Sequence, residues 1–288
     1  MRQALVFGGS GQIGLPLLDR LREAGWHAWA VSRDAQPALP GVTWLRGDLM
    51  RVDGAPDAVD AIFSCGPLDH FARWYAATPL RCPRVVAFGS TSVEVKQASG
   101  DAAERDLAAR LQAGEDGLRA TAALRGAAAT VLRPTLVYGA GRDRTLSRIA
   151  RLAQRCHGFV LPRGANGLRQ PVHVDDLAGA ALAACDAIAS HGRVYALPGG
   201  EALPYREMIA RVLAVLQPRP RLLEVPPSLF AAALWSARAL GRGGALAAAA
   251  ARLRNDQVFD AAPARRDFGY APRPFAPTAR MFEAPAVR

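Results

Sequence analysis

Apolar residues fall in two rhythms along the chain. Short, mainly apolar runs recur at Ala4–Phe7, Trp26–Val31, Val42–Leu45, Ala58–Ser64, Arg84–Phe88 and Ala128–Leu132. Continuous apolar runs of this length, bounded by polar or glycine breaks, predict strands buried on both faces. Between them the apolar positions take helical spacing, as at Leu15, Leu17, Leu18 and Leu21, and over the long Ala/Leu/Arg/Glu-rich stretch 101–125. Strands alternating with helices predict a parallel sheet with crossovers, an α/β doubly wound architecture. Arg133-Pro134 is expected to close the sixth run, because proline cannot continue a central ladder. Beyond residue 140 the pattern loosens. A helix is expected near 143–156, then a Gly-Pro-rich segment over 158–171. His173-Val174-Asp175-Asp176-Leu177 opens a helix running to about 189, with Asp175 placed to accept its first N–H groups. Val194–Leu197 predicts a late strand and Tyr205–Leu216 a helix. The Ala/Leu-rich stretch 228–253, broken by Gly241, Gly243 and Gly244, predicts two packed helices, with a partner or membrane-surface role as an alternative. The proline-dense tail reads as irregular chain tied down by Phe268, Tyr270 and Phe275.

The first strand runs straight into Gly8-Gly9-Ser10-Gly11-Gln12-Ile13-Gly14, and that turn opens the first helical pattern. Strand, glycine turn and helix in this order form the context a dinucleotide-binding loop requires. Glycines let backbone N–H groups approach a pyrophosphate, and the helix N-terminus adds unsatisfied donors and a positive dipole end. The expected division is a nucleotide-binding Rossmann domain over 1–140, with one later strand near 172–197 returning to the sheet, and a mainly substrate-binding lobe over 141–288.

Composition changes this picture little. The formal charge is +11, and Lys96 is the only lysine among the 36 basic residues. The arginines are scattered, without a basic helix or an aromatic-basic strand pair, which argues against nucleic acid and for small anions as partners. Cys65, Cys82, Cys156 and Cys185 lie far apart with no C-x-x-C and no histidine pairs, so reduced, mostly buried thiols are expected and no metal site. No apolar run long enough to span a membrane appears, and the N-terminus lacks the zones of a signal peptide, so a cytoplasmic location is expected.

Several landmarks stand in a fixed order: the glycine turn, Gly47-Asp48-Leu49, Phe88-Gly89-Ser90-Thr91-Ser92-Val93, Arg133–Gly139, His173–Ala178 and Ala264–Pro272. Together they resemble the extended short-chain dehydrogenase/reductase family, the NAD-dependent epimerase/dehydratase group. The resemblance implies that Gly8, Ser10, Gly11, Gln12, Ile13 and Gly14 hold a pyrophosphate. It places Asp48 and Leu49 at the adenine, Ser64, Cys65 and Gly66 along the path to the nicotinamide ribose, and Ser90 at the reacting end. At the end of the second strand the chain reads Val31-Ser32-Arg33-Asp34, where NAD binders usually carry an acid for the ribose 2′-OH. Ser32 and Arg33 would welcome a 2′-phosphate, so NADP is the expected cofactor, with Asp34 keeping NAD open. The resemblance also admits a homodimer packed through the 101–125 helix.

The chemistry departs from the family. Its engine is a serine or threonine hydroxyl with a Tyr-x-x-x-Lys pair on the next helix, in which lysine lowers the tyrosine pKa. Ser90 matches the hydroxyl and Thr91 stands beside it, but Leu107 and Leu111 occupy the tyrosine and lysine positions. The substitutes to weigh are Lys96 with Glu94, Tyr138, and His173 with Asp175 and Asp176. Arg133, Arg142 and Arg169 are candidate clamps for an anionic small-molecule substrate. The reading is an NADP(H)-preferring oxidoreductase or epimerase-like protein acting on a carbonyl or nucleotide-sugar substrate by an atypical mechanism. The alternative is a catalytically silent NADP(H) sensor or scaffold.

Overall fold

The structure, a computed structural model, describes residues 1–143, 145–239 and 252–283. Seven parallel strands form the central sheet: β1 (Gln3–Phe7), β2 (His27–Ser32), β3 (Val42–Arg46), β4 (Ala61–Ser64), β5 (Arg84–Phe88), β6 (Ala128–Pro134) and, far along the chain, β11 (Val194–Leu197). Their order is β11-β6-β5-β4-β1-β2-β3, so the winding reverses between β1 and β4. In such sheets ligands bind outside the carboxyl ends of the strands at the reversal point. That is where the turn after β1 opens.

The sheet is covered on both faces, which explains the mainly apolar runs. Ala4 and Val6 of β1 enter one core with Leu17, Leu18 and Leu21 of α1 (Gly14–Glu23) and Leu177, Ala178 and Ala181 of α6 (Val174–Asp186). Leu5 and Phe7 enter the other, with Phe71 and Tyr75 of α2 (Leu68–Ala77) and Leu118 and Ala122 of α4 (Ala102–Leu124). The Phe7 ring meets Trp74 edge-on at 4.4 Å, a geometry worth about 0.5–1.5 kcal/mol beyond area burial. Short α3 (Ser92–Lys96) follows β5, and Asp101 caps α4 by accepting from the Ala103 N–H at 2.9 Å.

The remaining elements build a third core. Here α5 (Leu146–Arg155) and α7 (Tyr205–Ala214) pack beside the parallel pair β8 (Gly158–Pro162) and β13 (Arg221–Val225). Two small ladders join β7 (Val137–Tyr138) to β10 (Val172–His173) and β9 (Leu168–Arg169) to β12 (Leu203–Pro204). α8 (Pro227–Ala239) forms the first half of the Ala/Leu-rich stretch, whose residues 240–251, with the three glycines and the expected second helix, lie outside the described residues. The tail forms α9 (Ala262–Phe268) and then runs irregularly with Tyr270 and Phe275 buried.

Four expectations need correction. β6 does not stop at Leu132 but carries Arg133 and Pro134, which pair with Ala196 and Leu197. Proline is tolerated at this strand end because its carbonyl still accepts, from the Thr91 N–H at 3.3 Å. The tail is not wholly irregular: proline in the first turn and Gly269 at φ 69° bracket a genuine helix. The four cysteines are free thiols but not mostly buried: Cys185 is buried, Cys65 and Cys82 are half-buried and Cys156 is exposed. Asp175 is not the cap of α6; His173 fills that place, its Nδ1 accepting from the Asp175 N–H at 3.2 Å. No described helix is long and apolar enough to cross a membrane.

Candidate functional site

The turn after β1 is built for close approach. Gly8 sits at φ 70°, and the Gly11 N–H closes back onto the Gly8 carbonyl at 2.8 Å. Helix α1 then begins at Gly14 with no side-chain cap and no acid in its first turn, which leaves its dipole end free for an anion. Ile13 contributes backbone only, because its side chain lies in the core. Beside the turn opens a cleft of about 450 Å³, lined by Gly8, Ser10, Gly11, Ser32, Arg33, Asp48, Leu49 and Gly66 among the expected residues. Phe7, Val31, Gly47, Met50, Pro67 and His70 complete the wall. Gln12 Oε1 and Ser64 Oγ are buried with no hydrogen-bond partner among the described residues. Buried polar atoms are rarely left unpaired, so their orphaning fits a ligand that would satisfy them. Burial pushes the neighbouring Cys65 thiol up to about 12, which removes it from acid–base work.

At the end of β2 the Ser32 hydroxyl is held in place. It lies 3.2 Å from Ser10 Oγ, donates to the Asp34 carbonyl at 2.9 Å and accepts from Gln36 Nε2 at 3.2 Å. The Arg33 side chain lines the cleft beside it, and that of Asp34 does not. Asp48 Oδ1 accepts from the Met50 and Arg51 N–H groups at 2.7 and 3.2 Å, so the carboxylate closes its own turn while facing the cleft.

The Ser90 loop divides its two hydroxyls. Ser90 Oγ, half-buried, accepts from the Ser92 N–H at 3.1 Å and keeps its own O–H to donate. Thr91 is committed elsewhere: buried, it donates to the Pro134 carbonyl at 3.2 Å. Glu94 and Lys96 do not pair with each other. Lys96 Nζ lies 3.3 Å from Glu104, while Glu94 takes Arg133 Nη1 at 2.7 Å. Arg133 also engages Glu115, 0 % exposed, through Nε at 2.9 Å and through Nη2. Burial alone would pull this guanidinium down, but the two carboxylates outweigh it and hold its pKa above the ordinary value. Arg133 is thus a structural cation and not an anion clamp.

Arg169 is likewise internal. It is 6 % exposed and donates to the carbonyls of Leu168 and Asn255 at 2.7 and 2.8 Å, which fastens a later segment to β9 instead of facing substrate. Tyr138, 1 % exposed, stands edge-on to His173 at 5.1 Å and to Phe275 at 4.9 Å, and burial pushes its phenol up to about 12. It packs as a core ring. Arg142 is the candidate clamp that stays on the surface, and its Nη1 reaches across to the Ser10 carbonyl.

His173 is a helix cap rather than a catalyst. With Nδ1 accepting, the neutral ring carries its proton on Nε2, which is buried without a partner. Burial, partly offset by Asp175, lowers its pKa below the ordinary 6.5. A base with a depressed folded pKa stabilises above its unfolded value and loses that contribution as the pH falls toward the folded one. Thermal unfolding should therefore show stability falling from about pH 6.5 downward, and His173→Asn, which keeps a cap, should flatten that limb. An unchanged slope would remove His173 from the account.

Residues 102–197, from α4 through β11, match the model of the NAD dependent epimerase/dehydratase family. The match covers one third of the chain. A 2-alkyl-3-oxoalkanoate reductase from Stenotrophomonas maltophilia (strain K279a) is 28% identical over 314 residues, spanning 93% of this chain and 94% of that protein. The fold is shared with MoeE5 in complex with UDP-glucuronic acid and NAD (TM-score 0.68, 19% identity, 94% of both chains). It is shared too with the UDP-glucuronic acid 4-epimerase from Bacillus cereus in complex with NAD (TM-score 0.70, 13% identity, 98% of this chain and 96% of that one).

Leu107 and Leu111 are both half-buried on α4, and Leu111 packs into the core beneath α2 and β5. The polar groups on the same side are one turn away on either end, Glu104 toward Lys96 and Glu115 toward Arg133. Sequence reading missed Phe7, Met50, Pro67 and His70 as cleft walls. The first is hidden inside a strand run, and the last sits on a helix whose aromatic-rich sequence gives no clean stripe.

Proposed function

We propose that this chain is an NADP(H)-dependent oxidoreductase acting on the carbonyl group of a small molecule. The dinucleotide would be held by the glycine turn, with its adenine between Asp48, Leu49 and Met50 and its 2′-phosphate between Ser32 and Arg33. The observation that carries the reading is Arg33: it lines the cleft, forms no ion pair or hydrogen bond among the described residues, and has a fixed hydroxyl beside it. An unpaired guanidinium at that point favours a phosphate dianion over a bare hydroxyl. When bound, the cofactor supplies hydride chemistry. The chain's own part is to position the substrate carbonyl and polarise it with the free O–H of Ser90. Leucines at 107 and 111 move no proton, so water serves as the proton source, and proximity and orientation supply much of the acceleration. The 2-alkyl-3-oxoalkanoate in the name of the Stenotrophomonas relative makes an acyclic 3-oxo acid the first substrate class to try, ahead of a nucleotide sugar.

A second reading, a silent NADP(H) sensor or scaffold, is favoured by the same two leucines. Nicotinamide absorbance with NADPH and a panel of 3-oxo acids separates the two. The enzyme reading expects turnover that Ser90→Ala lowers by about 10²–10³-fold, the usual cost of removing one oxyanion donor. Tight NADPH binding with no turnover on any carbonyl would establish the sensor. Arg33→Ala should weaken NADPH roughly tenfold or more and leave NADH unchanged, as expected for one charged hydrogen bond of about 1.5–3 kcal/mol. Equal effects on both cofactors would contradict the 2′-phosphate assignment.

A further inference from the structure

The loop after β7 joins the third core to the cofactor cleft through one side chain. Gly139 lies at φ 118° and Gly141 at φ 65°, backbone that side chains rarely adopt. Gly139 is pressed against His173, where a Cβ would come within 2.5 Å of Nε2. The Gly141 N–H donates to the Met281 carbonyl at 2.9 Å. The loop is thus pinned to the tail on one side and to the α6 cap on the other. From this base the exposed Arg142 extends to the first residues of the chain, and its Nη1 donates to the carbonyl of Ser10, in the middle of the glycine turn. Arg142 makes no ion pair among the described residues, and Ser10 itself lines the cleft. A neutral carbonyl uses one donor of a planar fork whose preferred partner is a phosphate or carboxylate taken by two bonds.

We infer that Arg142 is a phosphate clamp delivered to the glycine turn by the C-terminal part of the chain. On binding, its guanidinium exchanges the Ser10 carbonyl for oxygens of the dinucleotide pyrophosphate. The cofactor then ties the loop carrying Gly139 and Gly141 to α1, and Arg142 belongs to the cofactor instead of the substrate. The inference rests on the dinucleotide reading above, and no covalent step is involved.

Two probes test it by equilibrium titration of the full chain: NADPH, and adenosine 2′-monophosphate, which carries the 2′-phosphate but no pyrophosphate. Arg142→Ala should weaken NADPH about tenfold or more and leave adenosine 2′-monophosphate unchanged, with Arg142→Lys intermediate because charge persists without the fork. Arg33→Ala should weaken both probes. The thermal stability of unliganded Arg142→Ala should match the parent chain, and the gain in Tm that NADPH confers should shrink. NADPH bound equally well by parent and Arg142→Ala, or both probes weakened together by that change, would overturn the clamp. If the parent chain binds neither probe, the dinucleotide reading itself fails and takes the clamp with it.

Discussion

Gly14→Ala is expected to abolish dinucleotide binding and to cost about 3 kcal/mol of stability, the upper end for forcing atoms into a packed site. A Cβ at Gly14 would lie 2.0 Å from the Gly8 carbonyl oxygen and 2.8 Å from the carbonyl carbons of Gly8 and Gly9. These are backbone atoms with no rotamer to yield. Either α1 shifts along its axis or the turn opens, and both separate the helix N-terminus from the place a pyrophosphate would occupy. The damage also enters the core, since Leu17, Leu18 and Leu21 hang from the same helix. Gly117→Ala, on α4 with nothing within 4 Å of the added carbon, is the matched control and should be neutral or stabilising by up to about 1 kcal/mol. Thermal unfolding together with NADPH titration reads both effects. A Gly14→Ala protein that binds NADPH within about threefold of the parent, a difference of under 1 kcal/mol, would mean the turn is only a structural connection.

Arg133→Ala is expected to destabilise by about 3–5 kcal/mol, the cost of leaving one member of a buried pair uncompensated. Its partner Glu115 is fully enclosed, with the Gly89 backbone on one side and Val131 nearby. Without the guanidinium the carboxylate must either stay charged in a poor medium or take up a proton. Replacing both members by leucine should recover most of the loss, because the pair as a whole repays little of its desolvation. A double-mutant cycle by denaturant unfolding measures the coupling directly. A cost below about 1 kcal/mol for Arg133→Ala would show that the pair is open to water and return Arg133 to the list of anion ligands.

The sheet was legible because burial on both faces leaves an unmistakable signature. β1 sends Ala4 and Val6 one way and Leu5 and Phe7 the other, so every position must be apolar. The glycine turn was legible for a similar reason, since Gly14 occupies a space no other residue fits. α2 was not read, because its run Leu68-Asp69-His70-Phe71-Ala72-Arg73-Trp74-Tyr75 mixes aromatic and charged residues and starts directly after Cys65-Gly66-Pro67. Its helical state is fixed by Phe71 and Tyr75 docking under the sheet, a contact the local sequence does not announce.

The candidate site divides along the same line. Residues that act through backbone or strand position, such as Gly8, Gly11, Ser32 and Arg33, fell where expected around the cleft. Residues judged by charge or hydroxyl type alone often did not. Arg133, Arg169, Thr91 and Tyr138 look available in the sequence, yet each is spent on an internal partner. Those partners lie between 18 and 137 positions away. The bond from Arg142 to Ser10 spans 132 positions and depends wholly on how the third core sits beside α1. Side-chain commitment is a tertiary property, and only the folded chain reveals it.

In the proposed function, the cleft beside the glycine turn holds a dinucleotide and Arg33 selects the 2′-phosphate. Equilibrium titration of the parent chain with NADPH and NADH at one ionic strength tests it most directly. Both should bind, with NADPH tighter by roughly tenfold or more. NADH binding as tightly as NADPH, or neither cofactor binding, would contradict it.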